Sequence, residues 1–146
     1  MGVRPHVVIE GAGFGGLAVA RGLDKLPVEV TLIDRQNFTT FQPLLYQVAT
    51  SGLNATDVAH PVRGLFHRQH NRHGRRGEVV GIDRERKVVC LVDRREVAYD
   101  HLILAVGAVA ARFGVPGAEA HAIPPYTLED AVRLRNHVIE CFEVAD

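Results

Sequence analysis

Blocks of apolar and polar residues divide this chain into readable elements. Val7-Val8-Ile9 is a short β-branched run of the kind found in strands buried on both faces. It leads into Gly11-Ala12-Gly13-Phe14-Gly15-Gly16, after which Leu17-Ala18-Val19-Ala20-Arg21-Gly22-Leu23 places apolar residues at helical spacing. Val28-Glu29-Val30-Thr31-Leu32-Ile33 then reads as a second strand ending on Asp34. The pattern over 6–34 therefore predicts a βαβ unit with a glycine-rich turn and an acid at its far end.

Farther on, Pro43 suits the first turn of a helix in which Leu44, Leu45 and Val48 share an inward face. Segment 50–64 is loop-like and then helical, with Asn54 or Thr56 as N-cap and Asp57 in the first turn. The stretch 67–77 is the most polar of the chain, and its glycines, Gly74 and Gly77, predict a solvated basic loop. Three strand-like segments follow over 78–99, separated by Asp83-Arg84-Glu85-Arg86 and Asp93-Arg94-Arg95, which predicts an antiparallel meander. His101 to Ala108 is mostly apolar and contains Gly107, as expected of another buried parallel strand whose tip reaches a ligand. The last element is a helix over 127–145, with Thr127 as N-cap and an apolar stripe at 131, 134, 138, 142 and 145. These elements in this order predict an α/β fold of Rossmann type, a parallel sheet with an antiparallel β-meander.

Composition narrows the classes of function. A chain of 146 residues fits one domain, and 47% apolar content with zero formal charge describes an ordinary globular protein. Charge balance, and arginines without interleaved aromatics at Arg68, Arg72, Arg75 and Arg76, give no support to nucleic acid binding. Cys90 and Cys141 are far apart in sequence and form no CxxC, which suits a reducing cytoplasm and excludes a disulfide scaffold. No apolar run approaches the ~18 residues of a membrane-spanning helix, and nothing resembles a signal peptide. His67, His70 and His73 recur every three residues, yet no cysteine or nearby carboxylate completes a tetrahedral metal set.

The chemistry sits in the βαβ unit. Gly11 permits a tight turn, Gly13 carries no side chain to hold a pyrophosphate off the backbone, and Gly16 lets helix and sheet pack closely. The N-terminus of the helix beginning near Phe14 forms an anion site, and Asp34 stands where a carboxylate accepts hydrogen bonds from an adenosine ribose. The bland alternative is a glycine turn that only packs. Within a single dinucleotide site, NAD is the runner-up to FAD, while Asp34 would repel the 2′-phosphate of NADP despite Arg35 beside it.

The segments VVIxGAGFGGL, FQPLLYQVAT at 41–50, YDxLxLAxGA and TLEDAxxLR together make the chain resemble the FAD-binding N-terminal portion of the type II NADH dehydrogenases. These are single-subunit flavoproteins of the pyridine nucleotide-disulfide oxidoreductase superfamily. The resemblance implies an enzyme that takes hydride from NADH onto noncovalent FAD and passes electrons to a membrane quinone. It implies that Gly11, Gly13, Phe14, Gly15 and Gly16 cradle the pyrophosphate, and that Asp34 with Arg35 lies at the adenosine ribose. Gln42, Pro43 and Leu44 would approach the isoalloxazine, Val79 or Val80 would flank the adenine, and Gly107 would close over the flavin. No acid–base residue is assigned, because in this family the flavin performs the redox chemistry.

Departures from the resemblance are also legible. Glu10 occupies an apolar position, Val106 replaces a threonine whose hydrogen bond is worth roughly 0.5–1.5 kcal/mol, and Arg72 to Arg76 stands where the family has an apolar strand. Arg94-Arg95 falls at a turn where glycine is usual. With one glycine motif over 1–146, the expectation is an incomplete FAD-binding domain built from 6–34, 78–99 and 127–145, cytoplasmic and inactive without a complementary NADH domain. The alternative is a non-catalytic FAD-binding remnant. The apolar stripe of the last helix, including Val138, Ile139 and Phe142, predicts self-association.

Overall fold

A computed structural model describes residues 4–145. The chain divides into two units. The first runs to Thr39 and resumes over Pro61–Gly107, and the second comprises Thr40–His60 and the chain from Ala108 onward.

The first unit holds a four-stranded parallel sheet in the order β5 (Arg72–Arg76), β2 (Glu29–Asp34), β1 (His6–Glu10), β9 (His101–Leu104). Its central strands are β1 (His6–Glu10) and β2 (Glu29–Asp34), joined by α1 (Phe14–Gly22). Val8, Ile9, Val30 and Ile33 are fully buried, which explains why these strands read as continuous apolar runs. Helix α1 buries Gly16, Leu17 and Ala20 on one stripe, against Ile9, Leu32 and Phe66. The outer strand β9 (His101–Leu104) continues the sheet beyond β1, and Asp100 just before it accepts the His6 N–H at 2.7 Å.

Strand β5 (Arg72–Arg76) corrects the expected basic loop. It pairs in parallel with β2, Arg72 facing Val30 and Arg76 facing Asp34. An edge strand needs only one partner, so its pairing is carried by the backbone, while Arg72 stacks on the Phe66 ring and Arg75 and Arg76 are exposed. The preceding polar residues are also engaged. Gln69 Nε2 donates to the Ala20 carbonyl and Asn71 Nδ2 to the Leu23 carbonyl, both at 2.9 Å, so they satisfy acceptors at the C-terminal end of α1.

The antiparallel meander of β6 (Val79–Asp83), β7 (Val88–Leu91) and β8 (Glu96–Ala98) packs Val89, Leu91 and Val97 onto Val8 and Ile33. Short strands β3 (Phe38–Thr40) and β4 (Ala59–Pro61) lie where the chain leaves and re-enters the first unit, and α4 (Val62–Leu65) follows.

The second unit is helical. A 3₁₀ turn over Gln42–Leu44 runs into α2 (Leu45–Ala49), where Leu45 and Val48 are buried as the apolar spacing predicts. The N-cap of α3 (Ala55–Val58) is Asn54, whose N–H donates to the Asp57 carboxylate at 2.8 Å. A one-turn helix, α5 (Ala118–His121), precedes the long α6 (Leu128–Ala145). Thr127 caps α6, its hydroxyl donating to Asp130 and accepting the Asp130 N–H. Of the α6 stripe, Ala131 is buried and Leu134 packs onto the same core, whereas Phe142 is 72% exposed.

Candidate dinucleotide site

The glycine turn is held by backbone contacts that admit no side chain at two positions. Gly11 has φ +101°, and a Cβ there would lie 2.2 Å from the Ala105 carbonyl oxygen. A Cβ on Gly16 would lie 1.8 Å from the Gly11 carbonyl oxygen. Gly13 differs, because a Cβ on it would meet nothing within 4 Å. Its missing side chain therefore serves no internal contact; it leaves open the space beside the start of α1. Leu17 donates to the Gly13 carbonyl at 3.0 Å as the first helical bond, so the N–H groups of Gly15 and Gly16 precede the helical ladder. Together these features fit a group with negative charge brought close to the backbone.

Asp34, at the end of β2, is fixed by the same turn. The Ala12 N–H donates to its Oδ2 at 2.6 Å and the Gln36 N–H to its Oδ1 at 2.7 Å. The Gly11 N–H donates to the Ile33 carbonyl at 2.8 Å, which ties the turn to β2 one residue earlier. With one lone pair of each oxygen engaged, the carboxylate keeps capacity for a diol. Asp34 also lines a cleft of about 310 Å³ with Ala12, Gln36, Asn37, Arg63, Gly74, Arg75 and Arg76.

Glu10 is half-buried at the last position of β1. Burial, and secondarily the negative charge of Asp34, pushes its carboxyl above the usual glutamate range. The backbone of Glu10 is used structurally, its carbonyl accepting the Ala105 N–H at 2.8 Å.

The other residues singled out from the sequence divide between the units. Phe14 is 55% exposed beside the turn, and Arg35 is exposed with its carbonyl accepting from Arg76 Nε at 3.2 Å. Val79 packs into the meander core while Val80 is 62% exposed, and neither lines the cleft. Gly107 has φ +74° and open space around its Cα. Val106 is 65% exposed; its backbone N lies 3.3 Å from the Cβ position of Gly11, while the Ala105 carbonyl oxygen lies closer, at 2.2 Å. Gln42, Pro43 and Leu44 belong to the helical unit, where Gln42 Nε2 donates to the Tyr126 carbonyl at 3.4 Å. Arg63, Arg75 and Arg76 went unassigned in the sequence. The signal for the last two was the register of a strand that its composition concealed.

Comparison with known proteins bears on the family and the fold. The profile of the pyridine nucleotide-disulphide oxidoreductase family matches residues 5–141. The type II NADH:quinone oxidoreductase NdhA of Mycobacterium tuberculosis is 41% identical over 149 aligned positions, covering 100% of this chain and 32% of the relative. Its counterpart Ndh from the same organism is 37% identical, covering 98% and 32%. Among solved structures, NDH2 from Plasmodium falciparum in complex with NADH aligns with a TM-score of 0.86 at 25% identity, over 98% of this chain and 30% of that one. The sulfide:quinone oxidoreductase of Aquifex aeolicus aligns with a TM-score of 0.84 at 26% identity, over 95% and 32%. The chain thus spans about a third of the length of the curated relatives it matches. No helix among the described residues is long and apolar enough to cross a membrane.

Proposed function

The chain belongs to the pyridine nucleotide-disulphide oxidoreductase family, and on that premise we propose that it is the FAD-binding portion of an oxidoreductase working between NADH and a quinone. The observation that carries this reading is the open space at Gly13 beside a carboxylate, Asp34, that the same turn holds in place. The chain's residues bind and orient. Gly13, Gly15 and Gly16 receive the pyrophosphate, Asp34 receives the ribose hydroxyls, and Gly107 lies beside the ring system. Val79 or Val80 flanks the adenine. The flavin, when bound, supplies the redox chemistry, and no side chain of this chain is assigned an acid–base step. A cytoplasmic location belongs to the same reading, as does self-association through the exposed part of α6.

A second reading, a binding module without turnover, draws support from Glu10. Glu10 directly precedes Gly11 at the end of β1, and a negative charge there opposes binding of an anionic cofactor. Two measurements separate the possibilities. Thermal stabilisation by excess FAD over excess NADH supports the FAD assignment, since a ligand selective for the native state raises its stability. NADH oxidation with a quinone acceptor at an enzymatic rate rules out the module without turnover.

A further inference from the structure

Helix α6 carries a pair of metal-ligating side chains that the dinucleotide site does not use. His137 and Cys141 stand one turn apart on it, and Cys141 Sγ lies 3.8 Å from His137 Nε2. Side chains at i and i+4 share one face of a helix, so the backbone itself sets this pairing. Both residues are exposed, and Cys141 is a free thiol. A thiolate sulfur and an imidazole nitrogen bound to one tetrahedral Zn²⁺, with Zn–S of about 2.3 Å and Zn–N of about 2.0–2.1 Å, stand about 3.6 Å apart. The pair is therefore already spaced as one edge of such a site.

Two ligands do not close a tetrahedron. Among the described residues no group of three His, Cys, Asp or Glu side chains could hold a metal ion, so one chain supplies half a site. The position of the pair indicates the source of the other half. Leu134, Val138 and Cys141 follow one another at helical spacing, which places Cys141 within the apolar stripe of α6 and His137 on its flank. Around the pair, Val138, Ile139, Phe142 and Val144 are exposed. An isologous contact between two copies of this face sets each pair opposite its equivalent across a two-fold axis, which completes a set of two thiolates and two imidazoles. Two thiolates balance the charge of Zn²⁺, so apolar side chains can cover the joint without burying a net charge.

We propose that His137 and Cys141 form half of a zinc site that a second copy of this chain completes, so that one Zn²⁺ joins two α6 helices. The inference rests on the proposed self-association through α6 and names the group that fixes it. Each thiol gives up its proton to solvent as its Zn–S bond forms, each imidazole binds in its neutral form, and nothing is oxidised or reduced.

The test is sedimentation velocity of the full chain under a phosphine reductant, first with a chelator and then with added Zn²⁺, and with Co²⁺ as the spectroscopic probe. It is repeated on Cys141→Ser and His137→Gln, exposed positions whose substitution should leave the circular dichroism of the parent unchanged. The expected result is a mass that doubles with Zn²⁺ and halves again with chelator, at one metal per two chains. Bound Co²⁺ should show a thiolate-to-metal charge-transfer band and the visible absorption of tetrahedral coordination, and each variant should lose the mass response and this spectrum. A dimer that persists in chelator and ignores added metal overturns the zinc site and leaves the proposed self-association standing. A monomer under both conditions overturns both. Zn²⁺ bound at one per chain, or a mass response that survives both substitutions, overturns the zinc site, as does a dimer seen only without reductant, which is a disulfide of Cys141.

Discussion

The Ala105 carbonyl oxygen occupies the space that a side chain on Gly11 would need, 2.2 Å from the position of its Cβ. The relationship joins the end of β9 to the first residue of the glycine turn, and Glu10 and Ala105 reinforce it through a backbone hydrogen bond of 2.8 Å. Gly11→Ala therefore forces both an unfavourable positive φ and a clash with backbone that cannot rotate away. The expected cost is about 3 kcal/mol or more, read as a fall in the urea midpoint. Gly16→Ala behaves alike, because its obstacle is the Gly11 carbonyl oxygen.

Gly13→Ala separates binding from folding. A Cβ there meets nothing in the protein, and α1 tolerates alanine at its start at a cost of about 1 kcal/mol or less. The variant is expected to melt near the parent protein and to lose FAD binding by at least about tenfold, since the methyl group enters the space assigned to the pyrophosphate. Equal FAD affinity in parent and variant would show that the phosphates lie elsewhere.

Glu10 gives a pH prediction with a defined sign. Its carboxyl is raised in the folded protein, so the folded state holds its proton more tightly than the unfolded state. Its contribution then turns unfavourable as pH rises from the ordinary glutamate range through the raised value, and stays so above it. Glu10→Gln should be more stable than the parent at neutral pH, with the difference shrinking as pH falls through the raised value to the ordinary glutamate range. Denaturant melts of both proteins across pH 4 to 8 measure this; a constant difference over that interval would assign the effect to packing.

Self-association rests on Val138, Ile139 and Phe142 of α6, the last of them 72% exposed. Phe142→Glu should shift light scattering toward the monomer without lowering the helix signal in circular dichroism. A parent protein that scatters as a monomer at high concentration would remove the idea.

The glycine motif and Asp34 were legible because each needs a particular residue at a particular place: no side chain at Gly11 and Gly16, a carboxylate at the end of β2. The buried strands were legible from Val7-Val8-Ile9 and Val30-Thr31-Leu32-Ile33 for the same reason, since burial on both faces leaves a continuous apolar run. Strand β5 was not. Arginine, histidine and glycine have no preference for strands, and an edge position pairs through its backbone while Arg72 gains its stability from the Phe66 ring. Missing that strand hid Arg75 and Arg76 from the site. Ala105 was equally hidden, because its role is played by a carbonyl that any residue possesses.

The most direct test of the FAD assignment is the visible absorption spectrum of the full chain after incubation with FAD and gel filtration. The expected result is a flavin spectrum that co-elutes with the protein, accompanied by a rise in melting temperature with added FAD. Colourless protein whose melting temperature does not respond to excess FAD would contradict the assignment.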